Sequence, residues 1–348
     1  MVILFAMLLS LAACAETVKP PEPTAAPTEN AAEAPTAEPT AEPTAAPTEA
    51  PTPEPAATPA PKLLDFDDCA ELVCTLPWGE GDLEVYFEHP NEDEGLSPQN
   101  FFVADNRVWI YDRFLYSGMG FIVYDMETGE VSRVSYKEED IEINYEIWTR
   151  FAVMDGKLIG QRGMFDLETG EQYLLQPLVQ NGSTEPEYLR HFQVRDGKLY
   201  GYVGYVDYYW EADLHDLTEY VLDLENRMWV PVRKILSSGG EKELVIVDTG
   251  AHIERGIYLG FDNEGCHYVQ GEDFEGKGDD AVYHDAILKY APDGRLISMV
   301  RIDKYNGFGE GLLDAYCPDR FSLVTEDGTV WIMLHLESGL RIYKLDMD

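Results

Sequence analysis

The chain has 348 residues, and its 65 acidic and 25 basic residues give a net charge of −40. This charge disfavours nucleic acid and bare anionic phospholipid as partners. Cationic ligands, metal ions and neutral glycans are compatible with this net charge. The alternative is that the charge serves only to keep the protein soluble. The part after residue 62 is rich in aromatic and β-branched residues, and it is long enough for one large all-β domain or two smaller ones.

An apolar run opens the chain, from Val2 to Leu11, and is followed at once by Ala12-Ala13-Cys14. The run is too short to cross a bilayer as a helix and has the length of the apolar region of a secretory signal. It lacks the Lys or Arg that usually precedes such a region, which a start codon assigned too far downstream would explain. The alternative is a short N-terminal strand with an incidental cysteine.

The residues Leu11 to Cys14 resemble the lipobox of bacterial lipoproteins. In that family the signal peptide is removed before the cysteine, whose sulfur carries a diacylglyceryl group. The resemblance implies a signal peptide at residues 1–13, lipidation of Cys14, and a location outside the cytoplasmic membrane, at the bacterial cell surface. The membrane would then be a partner through this lipid anchor.

A tract rich in Pro, Thr, Ala and Glu follows the cysteine. It has no aromatic residue, and Val18 is its only aliphatic residue larger than alanine, so it cannot bury enough apolar surface to become ordered. In an extended polyproline II conformation it would reach roughly 130 Å. We assign residues 14–62 to the lipidated cysteine and a disordered linker, and residues 63–348 to the folded domain, whose 57 acidic and 23 basic residues give a net charge of −34.

Four further cysteines lie in the folded part: Cys69, Cys74, Cys266 and Cys317. Outside the cytoplasm they could pair in three ways, and free buried thiols are the alternative. No CxxC spacing and no Cys/His cluster indicates a zinc site.

A short motif recurs in the folded part, in which two apolar runs flank a pair of turn residues. The pairs are Asp105-Asn106, Asp155-Gly156, Asp196-Gly197, Asp327-Gly328 and, more loosely, Glu264-Gly265. Such pairs accept a positive φ and favour the tight turn of a β-hairpin. Each copy therefore predicts two antiparallel strands.

In chain order, the first four copies are those at Asp105, Asp155, Asp196 and Glu264. Each is followed by a second turn and a further strand, with turns that begin at Asp125, Asp166, Asp223 and Asp293. Four antiparallel strands that recur every ~40–70 residues are typical of a propeller blade. We predict an all-β fold, a single β-propeller of four-stranded blades. Five blades are readable, and residues 233–249 leave a sixth as the alternative.

The last unit ends after three strands, the third at Leu340 to Leu345. An N-terminal strand should complete this last blade and remove its open edge, and Leu83 to Phe87 is the candidate.

Parts of the repeat resemble known propellers. Residues 321–346, with Glu326-Asp327-Gly328-Thr329-Val330-Trp331-Ile332, are similar to one repeat of two-component-regulator-type sensory propellers. The second and third units resemble quinoprotein-like propellers in their Asp-Gly-x-Leu turns. The resemblance implies a repeat propeller and carries no activity with it.

Long loops join strand two to strand three and one blade to the next, so they share one face, called here the loop-rich face. Function on such scaffolds resides in loops held by rigid sheets. Aromatic residues in these loops are the ligand-binding candidates, because aromatic platforms stack on sugars or anchor proteins. The candidates are Phe114, Tyr116, Tyr205, Tyr208, Tyr209 and Trp210, next to Tyr202. The alternative for them is packing between blades.

An acidic stretch in the fourth unit could bind Ca²⁺, which prefers oxygen ligands. Its candidate ligands are Glu272, Asp273, Glu275, Asp279 and Asp280. The alternative is a solvated acidic loop, since EF-hand spacing is absent. No other cofactor is expected.

No catalytic motif is recognisable, and the seven histidines lack the spacing of a metal site. We therefore predict a monomeric, lipid-anchored extracytoplasmic propeller that binds a glycan, a peptide or an envelope protein through its loop-rich face. The alternative is a cell-surface carbohydrate-active hydrolase or lyase with carboxylates at the propeller funnel. A third hypothesis is a structural module of an envelope complex.

Overall fold

The computed structural model describes residues 59–79, 81, 83–86, 98, 100–114, 118–136, 150–178, 189–203, 216–238, 243–254, 256–276, 281–302 and 321–348. The described part is nearly all β, with one short helix and five sheets arranged as a five-bladed β-propeller. The predicted fold class is confirmed. No helix among these residues is long and apolar enough to cross a membrane.

The chain enters the propeller through a segment that contributes to two blades. Its elements are β1 (Lys62–Leu64), α1 (Phe66–Cys69) and β2 (Ala70–Leu76). Asp65 caps the helix by accepting a hydrogen bond from the amide of Asp67.

Blades 1 and 2 are the four-stranded sheets that the repeat predicts. Blade 1 consists of β3 (Asn100–Ala104), β4 (Arg107–Phe114), β5 (Gly118–Asp125) and β6 (Val131–Tyr136). Blade 2 consists of β7 (Phe151–Met154), β8 (Lys157–Gly160), β9 (Gly163–Asp166) and β10 (Gln172–Leu174).

Blade 3 has six strands. They are β11 (Leu189–Arg195), β12 (Lys198–Val203), β13 (Leu217–Asp223), β14 (Met228–Ser238), β15 (Glu243–Ile246) and β16 (His252–Glu254). The region considered for a sixth blade thus extends the third one. Leu244, Ile246 and Ile253 of β15 and β16 pack in one core cluster with residues of blade 4, which is described next.

Blades 4 and 5 carry the two strands of the entering segment. Blade 4 consists of β17 (Ile257–Phe261), β18 (His267–Glu275), β19 (Val282–Tyr290) and β20 (Leu296–Arg301), with β1 parallel to β20 at its edge. Blade 5 consists of β21 (Ser322–Val324), β22 (Val330–Leu336) and β23 (Gly339–Leu345), with β2 as its fourth strand.

The turns between the first two strands of blades 1 to 3 follow the predicted chemistry. Asp155 has φ 51° and Gly156 has φ 68°, and Asp105 and Asn106 have φ 51° and 58°. Both positions of each pair are left-handed, as a type I′ hairpin turn requires. These short turns lie on the face opposite the loop-rich face, called here the tight-turn face.

An N-terminal strand completes the last blade, but the predicted strand is wrong. The closing strand is β2, which pairs antiparallel with β23 from Ala70↔Leu345 to Leu76↔Leu340. Val85, within the predicted strand, forms only an isolated parallel bridge with Trp78. Strand β2 is better suited because its seven consecutive residues bury Cys74 and Leu76 against the blade.

The first strands of the blades line the axis of the ring, where β3 contacts β7, β7 contacts β11, and β17 contacts β21. Gln193 of β11 ties three blades together there. Its Nε2 donates to the carbonyls of Phe261 at 2.8 Å and Val324 at 3.3 Å, and its Oε1 accepts from the Tyr202 hydroxyl at 2.8 Å. Gly260, with φ 136°, allows this close approach, because a Cβ there would lie 2.9 Å from Val324 Cγ1.

Three of the four cysteines of the folded part are free thiols: Cys69, Cys74 and Cys266. Cys317 lies outside the described residues. Burial raises the pKa of Cys69 to about 11 and that of Cys74 to about 12, so both thiols stay protonated at neutral pH.

Candidate functional site

A small cavity lies where the first strands of four blades converge on the axis, at their loop-rich ends. Its volume is about 20 Å³. We call this site the mouth and define it by four polar residues that line the cavity. They are Asn100 of blade 1, Arg150 just before β7 of blade 2, His191 of blade 3 and Ser322 of blade 5.

Aromatic side chains separate the polar groups of the mouth from the core. Phe101, Phe151 and Phe192 line the same cavity and are almost fully buried. The rings of Phe102 and Phe151 lie 6.4 Å apart and join blade 1 to blade 2. The polar groups of the mouth thus lie next to a layer of buried aromatic side chains.

Ser322 is the most buried polar group of the mouth, with 3% of its surface exposed. Its Oγ has no hydrogen-bond partner. A buried hydroxyl without a partner costs about 1–3 kcal/mol, so native structures rarely retain one without a reason. Ser322 is one of the residues that line the cavity.

Hydrogen bonds between side chains and main-chain groups position the basic side of the mouth. Arg150 Nη1 donates to the carbonyl of Leu189 at 3.3 Å, and the amide of Leu189 donates to Gln161 Oε1 at 3.2 Å. Trp229 Nε1 in turn donates to the carbonyl of Gln161 at 3.1 Å. These bonds therefore join the start of β11 in blade 3, which bears His191, to blade 2.

Asp112 is a buried carboxylate on blade 1, outside the lining of the mouth. Arg133 Nη2 lies 2.8 Å from its Oδ2, and the amide of Tyr86 donates to its Oδ1 at 3.3 Å. Burial raises the pKa of Asp112, and the nearby Arg133 opposes this rise. Because Arg133 also donates to the carbonyl of Glu84 at 2.8 Å, the group holds residues 84–86 on the blade.

A second group joins blade 5 to the segment before blade 1. His335 stacks on Trp78 with ring centroids 5.8 Å apart, and its Nε2 lies 3.1 Å from the carbonyl oxygen of Pro98. A carbonyl only accepts, so Nε2 carries the proton. Burial lowers the pKa of His335 to about 4, which keeps the ring neutral at pH 7 and makes it structural rather than basic.

A larger cavity lies on the tight-turn face between blades 4 and 5, with a volume of about 490 Å³. We call it the cleft. Its lining carboxylates are mostly engaged by the protein itself. Lys289 pairs with Asp348 at 2.5 Å, Lys344 with Glu71 at 2.7 Å, and Glu326 accepts from the amide of Asp196 at 2.8 Å.

Asp262 is the most fully bonded of the cleft carboxylates. Its Oδ1 accepts from the amides of Glu264 and Cys266, both at 2.9 Å, and its Oδ2 accepts from the Tyr268 hydroxyl at 2.8 Å. Burial raises the pKa of Tyr268, so its hydroxyl keeps the proton that it donates. The carboxylate shapes the turn between β17 and β18.

Most of the predicted ligand-binding residues lie outside the described part of the chain. Tyr116, Tyr205, Tyr208, Tyr209 and Trp210 belong to this group, as does the predicted lipidation site, Cys14. Phe114 ends β4, at the loop-rich end of that strand.

Tyr202, the neighbour of these candidates in sequence, is fully buried and packs edge-on against Tyr258 at 5.6 Å. For this tyrosine the alternative of packing between blades is the observed one.

Three of the five predicted Ca²⁺ ligands lie in β18 rather than in a loop: Glu272, Asp273 and Glu275. Arg301 binds two of them, with its Nη2 2.8 Å from Asp273 and its Nη1 3.0 Å from Glu275. Within the described ranges, no group of three or more His, Cys, Asp or Glu side chains could hold a metal ion. Asp279 and Asp280 lie outside these ranges, and the Ca²⁺ site stays a prediction.

The sequence interpretation did not find the mouth. A signal was present, since Asn100, Arg150 and His191 each stand directly before a phenylalanine in the first strand of a blade. Aligning the blades on that phenylalanine would have placed three polar side chains at one level of the axis.

No family model and no curated protein matches this chain. A GH43 endo-arabinanase from Bacillus licheniformis is similar in structure, with 13% identity and a TM-score of 0.38 over 76% of this chain and 97% of that chain. An exo-β-1,3-galactanase of Bifidobacterium bifidum, described as putative, has 10% identity and a TM-score of 0.40 over 80% and 94% of the two chains. A DUF4221 family member from Bacteroides vulgatus has 10% identity and a TM-score of 0.38 over 80% and 98%. At these TM-scores the likenesses carry no argument.

Proposed function

We propose that this protein is a lipid-anchored extracytoplasmic β-propeller that binds a ligand through its loop-rich face, with the mouth at the centre of the contact. The ligand would be a glycan, a peptide or a partner protein. The observation that carries the proposal is the convergence of four polar side chains from four blades on one cavity, where the buried Oγ of Ser322 has no partner. Convergent polar groups over an apolar floor are typical of a binding site.

The lining of the mouth favours binding over hydrolysis. Most glycosidases use two carboxyl groups, about 5–5.5 Å or 6.5–9.5 Å apart, on either side of the bond they cleave. Among the described residues that line the mouth there is no Asp or Glu. A ligand held there would meet hydrogen-bond donors and a guanidinium rather than an acid–base pair.

The aromatic candidates of the sequence remain part of this proposal. Phe114 ends strand β4 at its loop-rich end, and Tyr205, Tyr208, Tyr209 and Trp210 follow β12 in the sequence. Rings placed around a polar centre would supply stacking area for a sugar or a peptide, while the mouth would fix its orientation.

Binding to a glycan array, followed by turnover assays on every glycan bound, tests the proposal with the full chain in detergent. We expect binding of at least one glycan class without release of product. Tyr209→Ala should weaken it several-fold, because ring stacking contributes much of the contact energy. Tyr173, on the outer strand of blade 2, provides the matched control, and Tyr173→Ala should bind like the wild type.

Two outcomes would contradict this reading. Product release from a bound glycan would support the hydrolase alternative. A blank array, together with no capture of peptides or envelope proteins, would remove the binding function altogether.

The lipid anchor is tested separately by metabolic labelling of a bacterial host with a radioactive fatty acid. We expect label on the full chain and its recovery in the membrane fraction, because a thioether-linked diacylglyceryl group contributes two acyl chains to membrane binding. Cys14→Ser should lose the label and the membrane association. Equal labelling of Cys14→Ser would contradict the assignment.

A further inference from the structure

We propose that His335 is a pH-sensitive latch, whose protonation in mild acid releases a strap from the loop-rich face and loosens two of the chain segments that form the mouth. The strap comprises residues 77–79 and 83–86, which lie between blades 5 and 1. This inference rests on the proposed function, because it concerns the regulation of the same site.

The strap is held by both blades. Trp78 Nε1 donates to the carbonyl of Leu336 in blade 5 at 2.7 Å. Arg133 of blade 1 donates to the carbonyl of Glu84 at 2.8 Å. Between these two bonds, Val85 is fully buried in a core cluster with residues of both blades. Because β22 ends at Leu336 on the loop-rich side, the strap covers the junction of blades 5 and 1 on the face that bears the mouth.

The ring of His335 connects the strap to the mouth. It stacks on Trp78, and its centroid lies 4.6 Å from that of the Phe321 ring. Its Nε2 lies 3.1 Å from the carbonyl oxygen of Pro98. Phe321 directly precedes the mouth residue of blade 5, and Pro98 lies two positions before that of blade 1. One buried side chain therefore positions the strap and the entry to two first strands.

The buried position of His335 favours the neutral ring. Only 2% of the residue is exposed, and the indole, phenyl ring and carbonyl that it contacts carry no charge. Burial lowers its pKa from 6.5 to about 4, so the docked ring takes up a proton less readily than a solvated one. Its contribution to docking is therefore fully present above about pH 6.5 and is lost as the pH falls towards 4.

Charged groups on the surrounding elements have other partners or are exposed. They include Glu84 of the strap, Asp112 and Arg133 of blade 1, and Glu337 and Arg341 of blade 5.

Three of these groups are bonded away from the ring. Glu84 accepts from the amide of Gly81 at 2.8 Å, and Arg341 Nη2 donates to the Ser338 hydroxyl at 3.1 Å. Asp112 pairs with Arg133 and is buried, which raises its pKa. A raised pKa means that protonation of this carboxyl favours the docked form, so release of the strap in acid is assigned to His335.

Amide hydrogen exchange of the full chain at pH 7.5 and pH 5, without ligand, tests the inference. Protection factors are compared, because they correct for the intrinsic effect of pH on exchange. The amides of Gly79 and Val85 report on the strap, since they bond the carbonyls of Val85 and Pro77. We expect their protection to fall by about five- to thirtyfold, the upper value being set by the pKa values of 6.5 and about 4. Protection at residues 100–102 and 321–323 should fall with it, while β13 of blade 3 stays within twofold.

Two variants separate His335 from a general effect of acid. His335→Gln keeps a donor for the carbonyl of Pro98 but does not titrate, so its strap protection should agree within twofold at the two pH values. His267→Gln is the matched control, because His267 is also buried, with its pKa lowered to about 4, but bonds the Tyr258 hydroxyl of blade 4. It should keep the wild-type fall at the strap. Melting curves establish that both variants are folded.

The outcomes separate this inference from the proposed function. Wild-type strap protection that falls by less than about fivefold would overturn the latch without any variant. A fall in His335→Gln as large as that of the wild type would also overturn it, as would a strap that opens while residues 100–102 and 321–323 keep their protection. These experiments use no ligand, so their failure leaves the proposed function intact, and the binding assays decide that function separately.

Discussion

The mouth and the cleft lie at opposite ends of the same blades and differ in how their polar groups are satisfied. The cleft is the larger, about 490 Å³ against about 20 Å³, and is lined mainly by acidic residues. Its central carboxylate, Asp262, accepts three hydrogen bonds from its own turn and from Tyr268. In the mouth, Ser322 is just as buried but has no partner.

The two cavities thus differ in the partners that their polar groups already have, and not only in size. The carboxylates of the cleft that cap turns or pair with lysines already make hydrogen bonds and ion pairs within the protein. A ligand would have to break those contacts before it could bind to the same carboxylates. A buried hydroxyl without a partner has no hydrogen bond that must be broken before a ligand can bind to it. We therefore propose the mouth, rather than the cleft, as the binding centre.

The largest expected effect is on the cleft side. Asp262→Ala leaves two amides and the buried Tyr268 hydroxyl without their acceptor, so we expect the free energy of unfolding to fall by about 3 kcal/mol. Ligand binding at the mouth should persist in the fraction that remains folded. Urea denaturation measures the first quantity and titration with the best array ligand the second.

Glu264→Ala is the control for this variant, because Glu264 is an exposed carboxylate on the same cleft. It should change the free energy of unfolding by less than about 0.5 kcal/mol. A loss of ligand binding in either variant, with the fold intact, would show that the cleft takes part in binding and would contradict its structural role.

The smallest expected effect on stability is on the mouth side. Ser322→Ala removes a buried hydroxyl that has no partner, so the variant should be as stable as the wild type or more stable by up to about 1 kcal/mol. The same denaturation experiment measures it. A loss of more than about 1 kcal/mol would mean that Ser322 is part of the fold rather than kept for a ligand.

The sequence predicted the architecture well because turn chemistry recurs in it. Pairs such as Asp155-Gly156 specify left-handed residues, and their spacing identified five blades. The closing strand was misplaced because Ala70–Leu76 directly follows a helix and carries exposed Glu71 and Leu72, so it lacks the regular alternation of a half-buried strand. Pairing with a partner almost 270 residues away, rather than local pattern, decides that this segment is a strand.

The candidate site was harder to predict than the fold. Asn100, Arg150, His191 and Ser322 come from four blades, and only closure of the ring brings them together. Three of them precede a phenylalanine, but this shared pattern is visible only when the blades are aligned with one another. The aromatic residues of the loops were found in the sequence because they are clustered, and their role in ligand binding is a prediction that the variants above test.

Amide hydrogen exchange of the full chain, with and without the tightest-binding glycan from the array, is the sharpest test of whether the ligand binds at the mouth. We expect slower exchange at the starts of the first strands, in residues 100–102, 150–152, 189–192 and 321–323, with no change at the cleft. Slower exchange confined to the cleft turns, at residues 262–266 and 326–329, would contradict it.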